Sequence, residues 1–389
     1  MTEVRVLEGV AEIAPAEWNA LVGDGSPFLE WAFLASLEEA GCVGEATGWL
    51  PRPLVAYDDE GRAVAACPLY LKAHSEGEFI FDWSWADAAQ RGGIRYYPKL
   101  LVGVPFTPVT GGRFLTAPGL SRKERRAWVG ALGQALLDLC RENDFSGVHV
   151  NFCRPDELGT LQKVDYLARV GMQYHWHNEG YRSFDDYLSR FRSKRRNQIR
   201  RELRGVAGAG VQVVTAMGDA IDESWFKPMY RFYRTNVDRH HWGRRYLNSC
   251  FFELLRERFR DRLCFVVALA DGEPIAGALN VQKGDALYGR YWGCTREVRY
   301  LHFVVCYYEA IRHCIAHGIQ RFEPGAGGDY KQLRGFDAMP TLSAHWLADA
   351  RLSGAVGTYL ERERHEYAEV VRHLRRHSAL KPGSPEPRR

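Results

Sequence analysis

Residues 287–346 read LYGRYWGCTREVRYLHFVVCYYEAIRHCIAHGIQRFEPGAGGDYKQLRGFDAMPTLSAHW, and this stretch decides the fold. An aromatic strand leads through a polar turn into an amphipathic helix that begins near Leu301. Val304, Tyr308, Ile311 and Ile315 stand at i, i+4, i+7 and i+11, one core-facing stripe, and Gly318 stops the helix. A second strand follows. The chain then enters a glycine-rich loop that ends in Asp329, Tyr330, Lys331 and Arg334.

Upstream of this stretch lies VVALADGEPIAGALNVQK (266–283), an acidic-Gly turn between apolar segments, which predicts a hairpin. The first half holds its echo, LVAYDDEGRAVAACPLYLK (54–72). Val55-Ala56 and Val267-Ala268 precede the two turns, and Val64-Ala65 and Ile275-Ala276 follow them. A second echo comes in the same order: ALLDLCRENDFSGVHVNF (135–152) and AIRHCIAHGIQRFEP (310–324) both read helix, break, strand. Two echoes in one order predict a tandem duplication, with domains at 1–178 and 179–378. The Pro-rich end, 379–389, reads as a disordered tail.

Between the halves, Ser183 with Asp185 and Asp186 behind it predicts a helix start. Leu188, Phe191, Ile199 and Leu203 share one face of this helix, and Gly205 ends it. Arg192, Arg196, Arg200 and Arg204 form a stripe on another face. The run from Arg190 to Arg204 carries eight basic residues and one acid, Glu202.

At 389 residues, 46% hydrophobic and 26% charged, the chain has the make-up of a soluble globular protein of two or three domains. No apolar run is long enough for a membrane helix. The N-terminus lacks the basic start and apolar core of a signal peptide, so a cytoplasmic location is expected. The nine cysteines are scattered without a CxxC pair and read as small buried hydrophobes. The pairs His175/His177, His313/His317 and His373/His377 lack the Glu of HExxH or a cysteine pair, so no metal site is expected. No Walker loop, strand-linked GxGxxG or GxSxG elbow occurs.

Hairpin, strand, helix, strand in each half is the order of the GNAT acyltransferases. From Phe28 to Glu363 the chain resembles the FemAB-like predicted N-acyltransferases, labelled as peptidoglycan biosynthesis proteins. The resemblance is carried by GWLPRPLVAY, PLYLKAHSEGEFIFDWSWADA, YYPKLLVGVPFTPVTGGRFL, VNFC, QYHWHNEGY, RSKRRNQIRRE, LYGRYWG, YLHFVVCYYEAI, GAGGDYKQLRGF and TLSAHW. It implies an α/β (α+β) fold of two tandem GNAT-like domains, each a mixed central sheet flanked by helices. It also implies transfer of an acyl or aminoacyl group to an amine. Related Fem enzymes draw the group from aminoacyl-tRNA. The chain departs from the family pattern at Val304, where Glu is usual, and at Gly327, Asp329 and Tyr330, in a loop usually closer to GAQGEHK. Lys331, Arg334, Gly335 and Phe336 are retained.

Amide formation needs a base for an ammonium, a positive group for a developing oxyanion, and a place that holds both reactants. Asp329 and His302 are the candidate bases, and Lys331 is the candidate oxyanion partner, as the resemblance also implies. Lys72, His74, Asp82 and Asp87, with Arg290, Tyr291 and Arg334, are candidate substrate contacts in a cleft between the halves. The arginine stripe suits a tRNA backbone. Each residue has a plainer reading: Asp329 a turn cap, Lys331 solvated, His302 a satisfied core histidine, Trp83 and Trp85 a buried aromatic core, the stripe a solvated face.

Coenzyme A enzymes of the GNAT fold cradle the pyrophosphate on backbone N–H groups at a glycine-bearing helix start. The corresponding place here is Arg296–Phe303, which has no glycine and two crowding aromatics, Tyr300 and Phe303. An aminoacyl-tRNA donor is therefore expected, with no bound cofactor. Acyl-CoA in a remodelled pocket, or a non-catalytic binding protein on the same fold, are the alternatives. The acceptor would be a small-molecule or peptide amine.

Overall fold

The computed structural model describes residues 3–239 and 243–381. By packing, the chain forms two units: one runs to Met172 and takes back Pro340–Glu369, the other holds Gln173–Met339 and the chain from Val370.

In the first unit Leu54–Tyr57 pairs antiparallel with Ala63–Cys67. Asp58 shapes the turn by accepting from the backbone N–H of Glu60 at 3.0 Å and of Arg62 at 2.9 Å. This hairpin lies between Glu3–Val6 and Leu115–Thr116 in a four-stranded sheet. Trp49–Pro51, Leu69–Lys72 and Lys99–Val102 pair antiparallel in a further group. Lys99–Val102 then runs parallel to Gly147–Cys153. Parallel neighbours need a crossover, and the helix Arg122–Glu142 supplies it, opened by a Ser121/Glu124 capping box. Its Val129, Leu132, Leu136 and Leu137 join Leu100, Val102, Val148 and Val150 in one core cluster.

The second unit repeats the order. Asp271 and Gly272, both at positive φ (53° and 83°), turn Leu263–Ala270 into Glu273–Lys283, as an Asp-Gly hairpin requires. Val211–Met217 and Ala286–Cys294 flank this hairpin antiparallel. Ala286–Cys294 is in turn parallel to Arg321–Glu323, and the helix between them is the crossover. The α/β fold of two tandem GNAT-like units is what the chain forms. Gly293 shows how closely the layers approach: a Cβ there would lie 1.9 Å from the Phe232 carbonyl of the covering helix Phe226–Arg239.

Three local readings differ from the sequence expectation. The helix expected from Ser183 to Gly205 is two, Phe184–Ser189 and Ser193–Ala207, because Phe191 leaves the helical path to bridge Leu380. Leu380 therefore has a defined place, and residues 382–389 of the expected tail lie outside the described residues. The crossover helix carries a π turn at Val304–Tyr308. The extra residue rotates the following face, so Ile311 and Cys314 are buried while Ile315 is only half-buried. Trp83 does not join Trp85 in the core: it is 52% exposed and Trp85 only 3%, because both lie on one helix, Trp83–Arg91, on different faces.

Candidate active site

The crossover places the chemistry of the second unit. Ala286, Leu287 and Tyr288 pair with Arg321, Phe322 and Glu323, and the first strand continues past that last pair to Cys294. The glycine-rich loop leaves from Glu323, and the crossover helix begins at Leu301. A register shift at Leu279/Asn280 makes Arg290 the bulged residue, opposite no single partner of the Glu273–Lys283 strand. Its guanidinium lies 5.2 Å from the Tyr291 ring centre. Tyr291 packs on Tyr233 at 5.1 Å, away from Trp292, which faces His302 at 4.6 Å.

His302, half-buried in the first helical turn, has Phe303, Tyr307 and Tyr330 around it at 5.3–5.8 Å between ring centres. Burial first, then Arg334 and Lys331, lowers its pKa to about 4, so the imidazole is neutral at pH 7. Gly325, Gly327 and Gly328 all take positive φ, and the turn they make brings Lys331 inward. Lys331 is 2% exposed, and its Nζ donates to the carbonyls of Gly325 at 2.6 Å and Ala326 at 3.3 Å. Burial lowers its pKa to about 8. Asp329 is exposed and hydrogen-bonded to the Tyr174 hydroxyl.

Arg334 is buried and already engaged. Its Nη2 lies 3.1 Å from both carboxylate oxygens of Glu202, its Nη1 donates to the Tyr330 carbonyl at 3.0 Å, and its guanidinium stacks 3.4 Å from the Phe303 ring centre. Its Nε–H meets no acceptor among the described residues. So His302, Lys331, Arg334 and Asp329 share one neighbourhood. Of the arginine stripe, Arg192, Arg200 and Arg204 are exposed and Arg196 half-buried, and Arg200 pairs with Asp185 at 3.2 Å.

The remaining candidates lie in the first unit. Lys72 is fully buried, its Nζ 3.6 Å above the Trp49 ring and 3.3 Å from the Glu76 carbonyl. Asp82 is buried too, 2.5 Å from the Nζ of Lys99 and accepting from Tyr96 at 2.6 Å. Burial would raise its carboxyl, but Lys99 outweighs that and holds it below the usual range. The same sheet face carries His149 and His345, Nδ1 to Nδ1 at 2.7 Å, a contact that requires one ring to donate and the other to accept. His74 is tied to Thr47 and Glu76. Asp87 is exposed beside Trp83, Gln90 and Tyr97 on a surface groove of about 500 Å³.

A family model described as FemAB-like, peptidoglycan biosynthesis/recognition, matches residues 9–382. The chain belongs to the FemAB-like family. It is thereby an acyl- or aminoacyltransferase. A search of curated proteins finds no match. Among solved structures, FemX is similar over 89% of this chain and 98% of its own, at 12% identity and a TM-score of 0.55. L-PGS from Bacillus licheniformis is similar over 90% and 97%, at 9% identity and 0.52. The C-terminal domain of a putative lysylphosphatidylglycerol synthetase from Agrobacterium fabrum is similar over 89% and 95%, at 10% identity and 0.55. At these identities the likeness is one of fold.

Two groups of this FemAB-like site escaped the sequence. Glu202 hid as the one acid in a basic run, and Tyr174 in a strand with no charge beside it. Its periodicity could have found Glu202: three residues past the buried Ile199, it lies on the apolar face of the helix.

Proposed function

We propose that this FemAB-like enzyme moves an aminoacyl group from aminoacyl-tRNA to an amine acceptor, with Lys331 on the transferred carbonyl. The observation that carries the reading is the buried Lys331 ammonium, held by two carbonyls beside the neutral His302. The acceptor nitrogen attacks the ester carbonyl, and the oxygen takes up negative charge that Lys331 offsets in a site shielded from water. The acceptor attacks as the neutral amine, and His302 takes the proton that its nitrogen sheds as the new bond forms. Collapse breaks the ester bond, leaves an amide, and returns a proton to the departing ribose hydroxyl.

Two further features support the donor. The exposed arginines of Ser193–Ala207 offer charge to a phosphate backbone. Where a coenzyme A pyrophosphate would need a glycine-lined helix start, Tyr300 stands as the N-cap at φ 71°, its ring packed by Gly205. The residues present do not fit that cradle. The similar domain comes from a putative lysylphosphatidylglycerol synthetase, a name that itself contains an aminoacyl group.

The test offers purified protein charged tRNA, acyl-CoA and a panel of amines, with mass spectrometry for an amide. An amide formed from charged tRNA alone supports the reading. Robust use of acyl-CoA with none from tRNA overturns it.

A further inference from the structure

The single acid of the basic run is buried and fully engaged near the site. Glu202 is 1% exposed and faces inward from Ser193–Ala207, while Arg200 and Arg204 face out. Its Oε1 accepts from Gln198 at 2.9 Å and from Arg334 at 3.1 Å. Its Oε2 accepts from the same Arg334 nitrogen at 3.1 Å and from the Tyr308 hydroxyl. Tyr308 closes the π turn of the helix that carries His302, and Arg334 closes the short helix Asp329–Arg334 that holds Lys331. One carboxylate thus joins three elements.

We propose that Glu202 is a positioning residue: by gripping Arg334 and Tyr308 it fixes the Lys331 turn against the helix that carries His302. The inference rests on the proposed role of Lys331.

The turn has other holds besides this grip: Gln332 donates to the Leu374 carbonyl at 2.8 Å, and the Tyr330 ring packs on His302 and Phe303. It follows three glycines at positive φ, and Tyr330 and Leu333 are each 41% exposed. Arg334 anchors it at one end through the Tyr330 carbonyl, the Phe303 face and the Tyr187 hydroxyl, which donates to its own carbonyl. A buried guanidinium without its carboxylate would be expelled toward water, and the turn would go with it. The π turn has a use in this arrangement. One extra residue in the helix brings the Tyr308 hydroxyl onto Glu202 while Tyr307 stays against His302. The helix that presents arginines outward therefore holds the Lys331 turn with its inner face, so a polyanion seated on those arginines would press on the element that orients Lys331.

The experiment measures the pH dependence of Lys331 labelling by an amine-reactive reagent, read by mass spectrometry, in wild type, Glu202→Gln and Glu202→Asp. The wild-type midpoint is expected at about 8. In Glu202→Gln the released turn exposes Lys331, and the midpoint should move up toward that of an ordinary lysine, about 10.4. Glu202→Asp, which keeps the charge, should move it back part of the way. Turnover, measured alongside, should fall about tenfold or more in Glu202→Gln with little change in KM for the donor. If Glu202→Gln does not fold, Tyr308→Phe removes one hydroxyl and no charge, and it should still shift the midpoint upward. An unmoved midpoint in the variants that fold overturns the proposal. The labelling needs no turnover, so a chain that transfers nothing from any donor would refute the functional reading and leave Glu202 to be judged by the midpoint alone.

Discussion

Lys72 and Lys99 stand directly opposite each other on antiparallel strands, and both are fully buried. Two like charges face to face in a core are tolerated because their surroundings differ. Lys99 is held by Glu78 at 3.0 Å, Asp82 at 2.5 Å and Ser75 at 2.9 Å, which outweigh burial and keep it charged. Lys72 has the Trp49 face and one carbonyl, and burial lowers its pKa to about 7.

The two lysines should therefore respond oppositely to removal. Lys99→Met leaves Asp82 and Glu78 as buried acids without their cation and should cost about 3–5 kcal/mol. Lys72→Met removes a poorly compensated charge from an apolar bed and should be neutral or stabilising by about 1 kcal/mol. Urea unfolding at pH 6, where both lysines are charged, checks the pair. Equal losses in the two variants would contradict this reading of the cluster.

Lys331→Ala should separate chemistry from folding. The loss of two hydrogen bonds to the glycine loop costs about 1–3 kcal/mol of stability. Turnover should fall about 100-fold or more, the usual effect of deleting a donor to an oxyanion. A variant that keeps near-wild-type turnover would remove Lys331 from the mechanism.

The pH profile of turnover should be a bell. His302, lowered to about 4, is neutral and able to accept a proton above that pH, so the acid limb rises there. Lys331, lowered to about 8, carries its charge below that pH, so activity falls as pH rises through it. Activity that keeps climbing to pH 10 would mean that Lys331 does not act as a cation.

Reversing Arg196 and Arg200 to Glu should weaken a charged-tRNA donor and flatten the dependence of its binding on salt. Arg200 already has Asp185 beside it at 3.2 Å, an exposed pair of small energetic weight, so the fold should tolerate the change. Unchanged donor kinetics across a salt series would return the stripe to an ordinary solvated face.

What could be read in advance was what local chemistry specifies. Asp271-Gly272 announced its hairpin because that dipeptide suits two positive φ values, whereas Lys331 stood out only through the resemblance of its loop to the FemAB-like pattern. The rest depended on partners distant in sequence. Phe191 breaks a helix to meet Leu380, a contact no window around residue 191 contains. Nothing in YLK or YPKLLV marks Lys72 and Lys99 as buried until Trp49 is folded over the first and Glu78 and Asp82 beside the second. The π turn keeps the composition of an α-helix and shifts its face, and Glu202 gains its meaning only from Arg334 and Tyr308.

The most direct measurement follows a labelled amino acid from charged tRNA into an amine acceptor, with wild type and Lys331→Ala side by side and RNase treatment of the donor as the control. The account predicts amide product from wild type, its loss after RNase, and at most a trace from Lys331→Ala. Product that survives RNase and forms from acyl-CoA, or that forms equally well without Lys331, would contradict it.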